Sequence, residues 1–441
     1  INRHGKEISM ICENLGINEK GHLTFAGFDT VELAEKYGTP LYLLDEDRVR
    51  KMCRIYTGAI KKYFGGDSHP LYASKALSFA GIYKIALEEN MGIDVVSAGE
   101  IHTAKAAGYP LEKAYFHGNA KSDFEIEYAM ENGVGCFVTD NADELDRVDD
   151  FAKKHGIKQK ILLRLTPGID PHTFAAVNTG KVDSKFGTAI ETGQAEEIVR
   201  YALTKENIDL AGFHCHIGSQ VFDCKPFTDG ADVMLAFIAD MKNKLGYEAR
   251  ELNLGGGFGT RYVEEHPTID IDANIKELSE HVKAKCAEYG LAMPTMLFEP
   301  GRSIVADAGM TLYTVESIKK ITGYKNYAAI DGGMTDDPRY ALYGSQYTVC
   351  LANKANAARD FKCTVAGRCC ESGDLIQEDV MLPELKRGDV VAVLTTGAYN
   401  YSMASNYNRV PRPPIVILCG GKDRIGVKRE SLDNLMMLDV L

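Results

Sequence analysis

Between Leu71 and Phe298 the chain repeats one pattern eight times: a short apolar run, then a stretch with helical periodicity. The runs are Leu71–Lys75, Asp94–Ser97, Ala114–His117, Cys136–Thr139, Ile161–Leu165, Leu210–His214, Glu251–Leu254 and Thr295–Phe298. Apolar runs without polar alternation are strands buried on both faces, and strands separated by helices pair in parallel. Eight such units over this length predict a (β/α)8 TIM-type barrel. A doubly wound open sheet competes. It would carry a Gly-x-Gly phosphate fingerprint after its first strand, and Leu71–Ala76 is followed by none.

The flanks read differently. A helix is expected from Thr30 to Tyr37, capped by Asp29 or Thr30 and ended by Gly38-Thr39-Pro40. Leu41–Leu44 is a strand leading into a charged helix, Asp45 to Phe64. Beyond Ile304 the helical alternation stops, and Thr311–Ile318, Tyr327–Ile330, Lys362–Val365, Val380–Leu382, Val390–Leu394 and Pro414–Leu418 read as strands. Arg387-Gly388-Asp389 reads as a hairpin-type turn before the Val-rich run. At 441 residues the chain is long enough for two domains. The expected division is a barrel at 46–305 and a β-rich domain, a barrel or sandwich, built from 1–45 and 306–441.

Composition narrows the function classes. Lys+Arg 50 against Asp+Glu 62 gives a net charge of −12, which argues against nucleic-acid or anionic-membrane partners. No apolar run has membrane length; Ile415–Cys419 suits a buried strand. Eleven cysteines without repeated spacing read as free thiols in a reducing compartment. Ile1–Lys6 lacks an apolar signal region, so a cytoplasmic location is expected. A missing organellar leader stays open, because the chain does not begin with Met.

Polar residues gather where the apolar runs end: Lys75, Ser97-Ala98-Gly99-Glu100, His117-Gly118-Asn119, Asp140-Asn141, Arg164 with Thr166, His214-Cys215-His216, Gly255-Gly256-Gly257 and Glu299-Pro300-Gly301-Arg302. In a barrel these ends converge on the face where barrel enzymes work. Asp140-Asn141 also reads as a helix cap. Lys75 stands at the buried end of its strand and is expected to run straight into a helix, Ala76–Asn90. An ammonium there is either paired or used for its amine chemistry, although alone it reads best as reaching solvent. The glycine run after the seventh strand suits a phosphate. His214 and His216 share a strand face, as metal ligands would, but no nearby carboxylate or third histidine completes a site, and no metal is expected. Imidazole as a stacking surface, with Ser219 as a second phosphate donor, competes. Glu299 and Arg302 would in isolation form a salt bridge; at a barrel mouth Glu299 can hold a ring nitrogen protonated while Arg302 meets a carboxylate. Lysine, phosphate cradle, flat imidazole and carboxylate are together the parts for pyridoxal 5'-phosphate.

Tyr72-Ala73-Ser74-Lys75-Ala76, His214-Cys215-His216-Ile217-Gly218-Ser219-Gln220, Gly255-Gly256-Gly257, Glu299-Pro300-Gly301-Arg302, Cys370-Glu371-Ser372-Gly373-Asp374 and Gly397-Ala398-Tyr399 occur in that order. In these motifs the chain resembles the alanine-racemase-like group of pyridoxal phosphate enzymes and, within it, the diaminopimelate decarboxylase family. The resemblance runs from about Phe25 to Val416. Two departures are Arg368, where a proline is more usual, and the insertion-like stretch Asp223–Asp229.

The resemblance implies decarboxylation of meso-2,6-diaminopimelate to L-lysine and CO2, the final step of lysine biosynthesis. It implies that Lys75 carries the cofactor, that His216 stacks on its ring and takes part in catalysis, and that Glu299 pairs with the ring nitrogen. Ser219, Gly256, Gly257, Gly301, Arg302 and Tyr399 would also contact the cofactor. Arg302, Arg339, Tyr343 and Tyr399 would bind substrate, Glu371 its distal ammonium, and Cys370 would donate a proton. In the family Cys370 and Glu371 serve the partner subunit's site, which implies a homodimer with shared active sites. A distal carboxylate asks for arginine and a distal ammonium for a carboxylate; Arg302, Arg339 and Glu371 supply both. The alternatives are a decarboxylase of ornithine, arginine or carboxynorspermidine, a racemase, or a non-catalytic decarboxylase-like regulatory protein.

Overall fold

The structure, a computed structural model, describes residues 11–169 and 184–440. The chain divides into two units: one of Met52–Gly259 with Ile269–Ser303, the other of the residues up to Lys51, Thr260–Thr268, and Ile304 onward. The signal-region reading of Ile1–Lys6 lies outside the described residues. Among those described, no helix is long and apolar enough to cross a membrane, and all eleven cysteines are free.

The first unit is the barrel. Its strands are β1 His69–Ala73, β2 Gly92–Val95, β3 Ala114–Phe116, β4 Cys136–Thr139, β5 Gln159–Thr166, β6 Ile208–His214, β7 Glu251–Asn253 and β8 Thr295–Phe298. Each pairs in parallel with the next, and β8 returns to β1 through Leu297 opposite His69. That closure excludes the open sheet. Closure also explains the unbroken apolar runs, because each strand faces the barrel interior on one side and helices on the other. Leu71, Tyr115, Cys136, Val138, Leu162, Ala211 and Leu297 form one buried cluster.

Most helices begin where capping chemistry directs. Ser97 Oγ accepts from the Glu100 N–H at 3.2 Å to start Ala98–Ala106, and Asn141 Oδ1 accepts from the Glu144 N–H at 2.9 Å to start Ala142–His155. Asp223–Asp229, unplaced from sequence, opens the helix Lys225–Leu245; the Asp223 carboxylate accepts from the Lys225 N–H at 3.0 Å.

The stretch after β1 departs from expectation. Ser74–Ala76 is one 3-10 turn, Leu77 is extended with φ −155°, and the helix runs only from Ala80 to Glu88. The Tyr72 hydroxyl donates to the Leu77 carbonyl at 2.8 Å, which spends an oxygen that a continuous helix would use. Ser74 and Ala76 are buried while Lys75 is exposed, so the lysine sits on a turn rather than at a buried strand end.

The second unit is β-rich. Leu41–Asp45 lies between Gly309–Lys320, antiparallel, and Ile415–Cys419, parallel. Ile415–Cys419 makes a hairpin with Lys422–Val427. Gly309–Lys320 has three partners: besides Leu41–Asp45, it pairs up to Thr314 with Val390–Leu394, and from Val315 on, across a bulge at Val315/Ser317, with Asn326–Ile330. Phe361–Ala366 and Leu375–Leu382 continue that side. A small sheet of Leu15–Ile17, Leu23–Phe25 and Phe28–Asp29 precedes the helix Thr30–Tyr37, which Asp29 caps. Leu23, Phe25, Leu33, Leu43, Leu312, Ala392 and Val416 belong to one buried core.

Arg387-Gly388-Asp389 is a turn but not a hairpin, because the strands on either side of it do not pair with each other. Buried Asp389 accepts from the Lys386 N–H at 2.8 Å and from Lys354 at 2.7 Å, and the turn's backbone pairs with Val315: the Gly388 N–H donates to the Val315 carbonyl and the Asp389 carbonyl accepts from the Val315 N–H, both at 2.9 Å.

Candidate active site

Glu299 closes β8, and the ends of three other strands converge on it. Its Oε1 accepts from Asn253 Nδ2 of β7 at 2.7 Å and lies 2.8 Å from Nε2 of His117, the residue after β3. Its Oε2 accepts from His214 Nε2 of β6 at 3.1 Å. Burial by itself would raise the Glu299 pKa. The two imidazoles outweigh it and hold the carboxyl well below the usual carboxylate range. Burial drives His214 down to about 4 despite the adjacent carboxylate, so at neutral pH it is an uncharged donor. Asp94 of β2 is buried 3.9 Å from His117 Nε2, and burial raises its pKa. The guanidinium of Arg164 on β5 lies 4.3 Å over the Phe186 ring.

This cluster corrects the expectation that nothing near His214 could complete a donor set. The donor atoms of His117, His214 and Glu299 all lie within 4.8 Å of one another. His216 is not the second member; the partners come from two other strand ends. A histidine or asparagine ending an apolar strand was the available signal for His117, His214 and Asn253.

The glycines pack three backbone segments together. A Cβ on Gly256 would lie 2.1 Å from the Glu299 carbonyl oxygen, and one on Gly257, at φ +113°, 2.2 Å from the Gly218 carbonyl oxygen. At Gly301 a Cβ would lie 2.9 Å from the Ala73 Cβ. No side chain fits there. Ser219 Oγ accepts from Arg302 Nε at 3.2 Å and Nη2 at 3.0 Å. His216 is half-buried, and burial followed by the charges of Lys75 and Arg164 keeps its pKa well below the ordinary value.

The β-rich unit gathers the other named residues into two places. The Arg339 guanidinium lies 5.0 Å from the Tyr343 ring and 5.1 Å from the Tyr399 ring, and Tyr399 holds a left-handed backbone at φ +66°. Cys370 and Glu371 are exposed on a loop. The Cys370 N–H donates to Asn408 Oδ1 at 2.8 Å, while buried Asp374 accepts from the N–H groups of Cys369 at 2.7 Å and Met334 at 2.6 Å. Asp336 and Asp337, for which the sequence offered no reading, are both buried. Burial raises them to about 7 and about 8 respectively.

The family model for the pyridoxal-binding domain of pyridoxal-dependent decarboxylases matches residues 48–306. The diaminopimelate decarboxylase of Bacillus methanolicus is 45% identical, with 94% of this chain and 96% of that protein covered; that of Bacillus subtilis is 44% identical, with 96% of each covered. The chain belongs to the diaminopimelate decarboxylase family. A structure of the diaminopimelate decarboxylase of M. jannaschii in complex with L-lysine aligns at TM-score 0.89 and 32% identity, over 97% of this chain and 98% of that one. A lysine/ornithine decarboxylase of Vibrio vulnificus, 23% identical at TM-score 0.75, shares the fold.

Diaminopimelate decarboxylases of this pyridoxal-dependent kind need a cradle for phosphate, an anion for the ring nitrogen and an amine for the aldehyde carbon. The residues fit. Gly256 and Gly257 sit where backbone segments meet too closely for side chains, which leaves main-chain N–H groups as the donors a phosphate would need, Glu299 is held ionised in a buried place, and Lys75 is an exposed primary amine.

Proposed function

We propose that the chain decarboxylates meso-2,6-diaminopimelate at its D-centre, releasing CO2 and L-lysine as the final step of a lysine biosynthesis route. The observation that carries this reading is Glu299, a carboxylate kept ionised in a buried place by His117, His214 and Asn253. When bound, pyridoxal phosphate supplies a protonated ring that accepts the electron pair left behind by the departing carboxylate.

Lys75 holds the cofactor through its ε-amine. Glu299 keeps the ring nitrogen protonated, and His216 presents a neutral flat face to the ring. Gly256, Gly257, Gly301 and Ser219 hold the phosphate, with Arg302 orienting the Ser219 hydroxyl. Tyr399 contacts the cofactor and the substrate. Arg302, Arg339 and Tyr343 bind substrate carboxylate, and Glu371 binds the distal ammonium. That combination selects a substrate with both charges at its far end. Cys370 delivers the proton to Cα. Cys370 and Glu371 serve the partner subunit's site, so the working protein is a homodimer to whose active sites and interface the β-rich domain contributes, and it works in the cytoplasm.

Lys75→Ala is expected to lose both the visible absorbance of bound cofactor and CO2 release. Full activity in that variant would overturn the reading, and faster turnover of ornithine than of diaminopimelate would reassign the substrate.

A further inference from the structure

Lys121 is a buried cation to which the chemistry above gives no part. It lies in the loop between β3 and the helix Asp123–Glu131, and its side chain is 1% exposed. Its Nζ donates to the Gly118 carbonyl at 2.8 Å, the Val138 carbonyl at 2.8 Å and Glu144 Oε1 at 2.6 Å. An ammonium has three N–H donors, so none is left over. The three acceptors belong to the loop after β3, to β4, and to the first turn of Ala142–His155. Burial pulls the Lys121 pKa down and the Glu144 charge opposes it.

Gly118 is the residue after His117 and sits at φ +115°. Without a Cβ its peptide has wide freedom to turn, and a turn there swings His117. The N–H of His117 is fixed on the other side by the Val95 carbonyl at 2.8 Å. Lys121 supplies the second anchor. We infer that Lys121 is a positioning residue: by pinning the Gly118 carbonyl to β4 it holds His117 against Glu299, the carboxylate that serves the ring nitrogen. This rests on Glu299 being the ring-nitrogen partner. The competing view is that Lys121 and Glu144 form an ion pair that only stiffens the rim.

Paired variants separate the two views. Lys121→Met with Glu144→Gln removes both charges together, so no buried ion is left alone. The variant is expected to melt near the wild type. Its apo-protein should bind pyridoxal phosphate about tenfold more weakly, a size usual for losing an outer support of a bound group. Its kcat should fall by a similar factor, with KM for diaminopimelate changing less than about threefold. The acid limb of the bound cofactor's visible absorbance should move to higher pH, because Glu299 without His117 protonates more readily. Glu144→Gln alone leaves Lys121 on both carbonyls without its counter-ion; it should melt earlier than the wild type but, read below its melting range, keep wild-type cofactor affinity and kcat.

If the methionine pair melts early, Lys121→Leu with Glu144→Leu, an apolar pair of similar bulk, is read on the same measurements. A folded pair with wild-type affinity, pH profile and kcat overturns the inference. A wild-type protein that binds no pyridoxal phosphate overturns the underlying reading of Glu299 instead.

Discussion

At the scale of single residues, chemistry depends on neighbours brought from distant parts of the chain. Glu299 was legible because it closes the eighth apolar run. Its partners were legible only in part: His117 and His214 were placed among the converging strand ends, but their contact with Glu299 was not read and Asn253 was not singled out, because only closure sets the ends of β3, β6 and β7 against β8. Glu299→Gln keeps the shape and removes the charge. It should lower kcat by about 10²-fold or more with little change in KM, as for other preorganised electrostatic groups, and CO2 release against substrate concentration would show it. Asp336 and Asp337 make a different prediction. Burial raises their pKa from 3.8 to about 7 and about 8. The folded chain therefore holds protons that the unfolded chain has lost, and the two groups make stability fall as pH rises from about 4 to about 8. Asp337→Asn should flatten that slope, read as the difference between urea midpoints at pH 5 and pH 8. An unchanged slope would mean that Asp337 is ionised in the fold.

At the scale of elements, the barrel strands were readable because burial on both faces leaves unbroken apolar runs. The strands beyond Ile304 were readable for the Gly and Pro residues between them. What failed was pairing and entry. The turn at Arg387–Asp389 follows from local chemistry, but which strands it joins depends on sheets elsewhere in the unit. The helix after Lys75 starts late because the Tyr72 hydroxyl captures the Leu77 carbonyl, a contact that propensity cannot reveal. The glycine segment invites a direct test. Gly257→Ala places a Cβ 2.2 Å from the Gly218 carbonyl oxygen on a backbone at φ +113°. It should cost about 1–3 kcal/mol or more in stability and weaken pyridoxal phosphate binding to the apo-protein by at least about tenfold. Calorimetry and a cofactor titration would report the two losses separately.

At the scale of the whole molecule, the division of labour between subunits can be tested by mixing. Lys75→Ala and Cys370→Ala are each expected to be nearly inactive. If Cys370 serves the partner's site, half of the dimers in an equal mixture are hybrids with one complete site each, and activity should return to about a quarter of wild type. Activity that stays at the sum of the two parents would mean self-contained subunits. The β-rich unit has its own consequence for the making of the protein. Tyr42 lies opposite Thr311 on one side and Ile415 on the other, with the entire barrel encoded between them. On the ribosome, Leu41–Asp45 emerges before the barrel, and both of its partner strands, Gly309–Lys320 and Ile415–Cys419, emerge after it. For that interval it is an exposed apolar edge strand, the kind of segment on which nascent chains aggregate. The barrel therefore has time to fold first, and the early strand is where a chaperone would have to hold the growing chain.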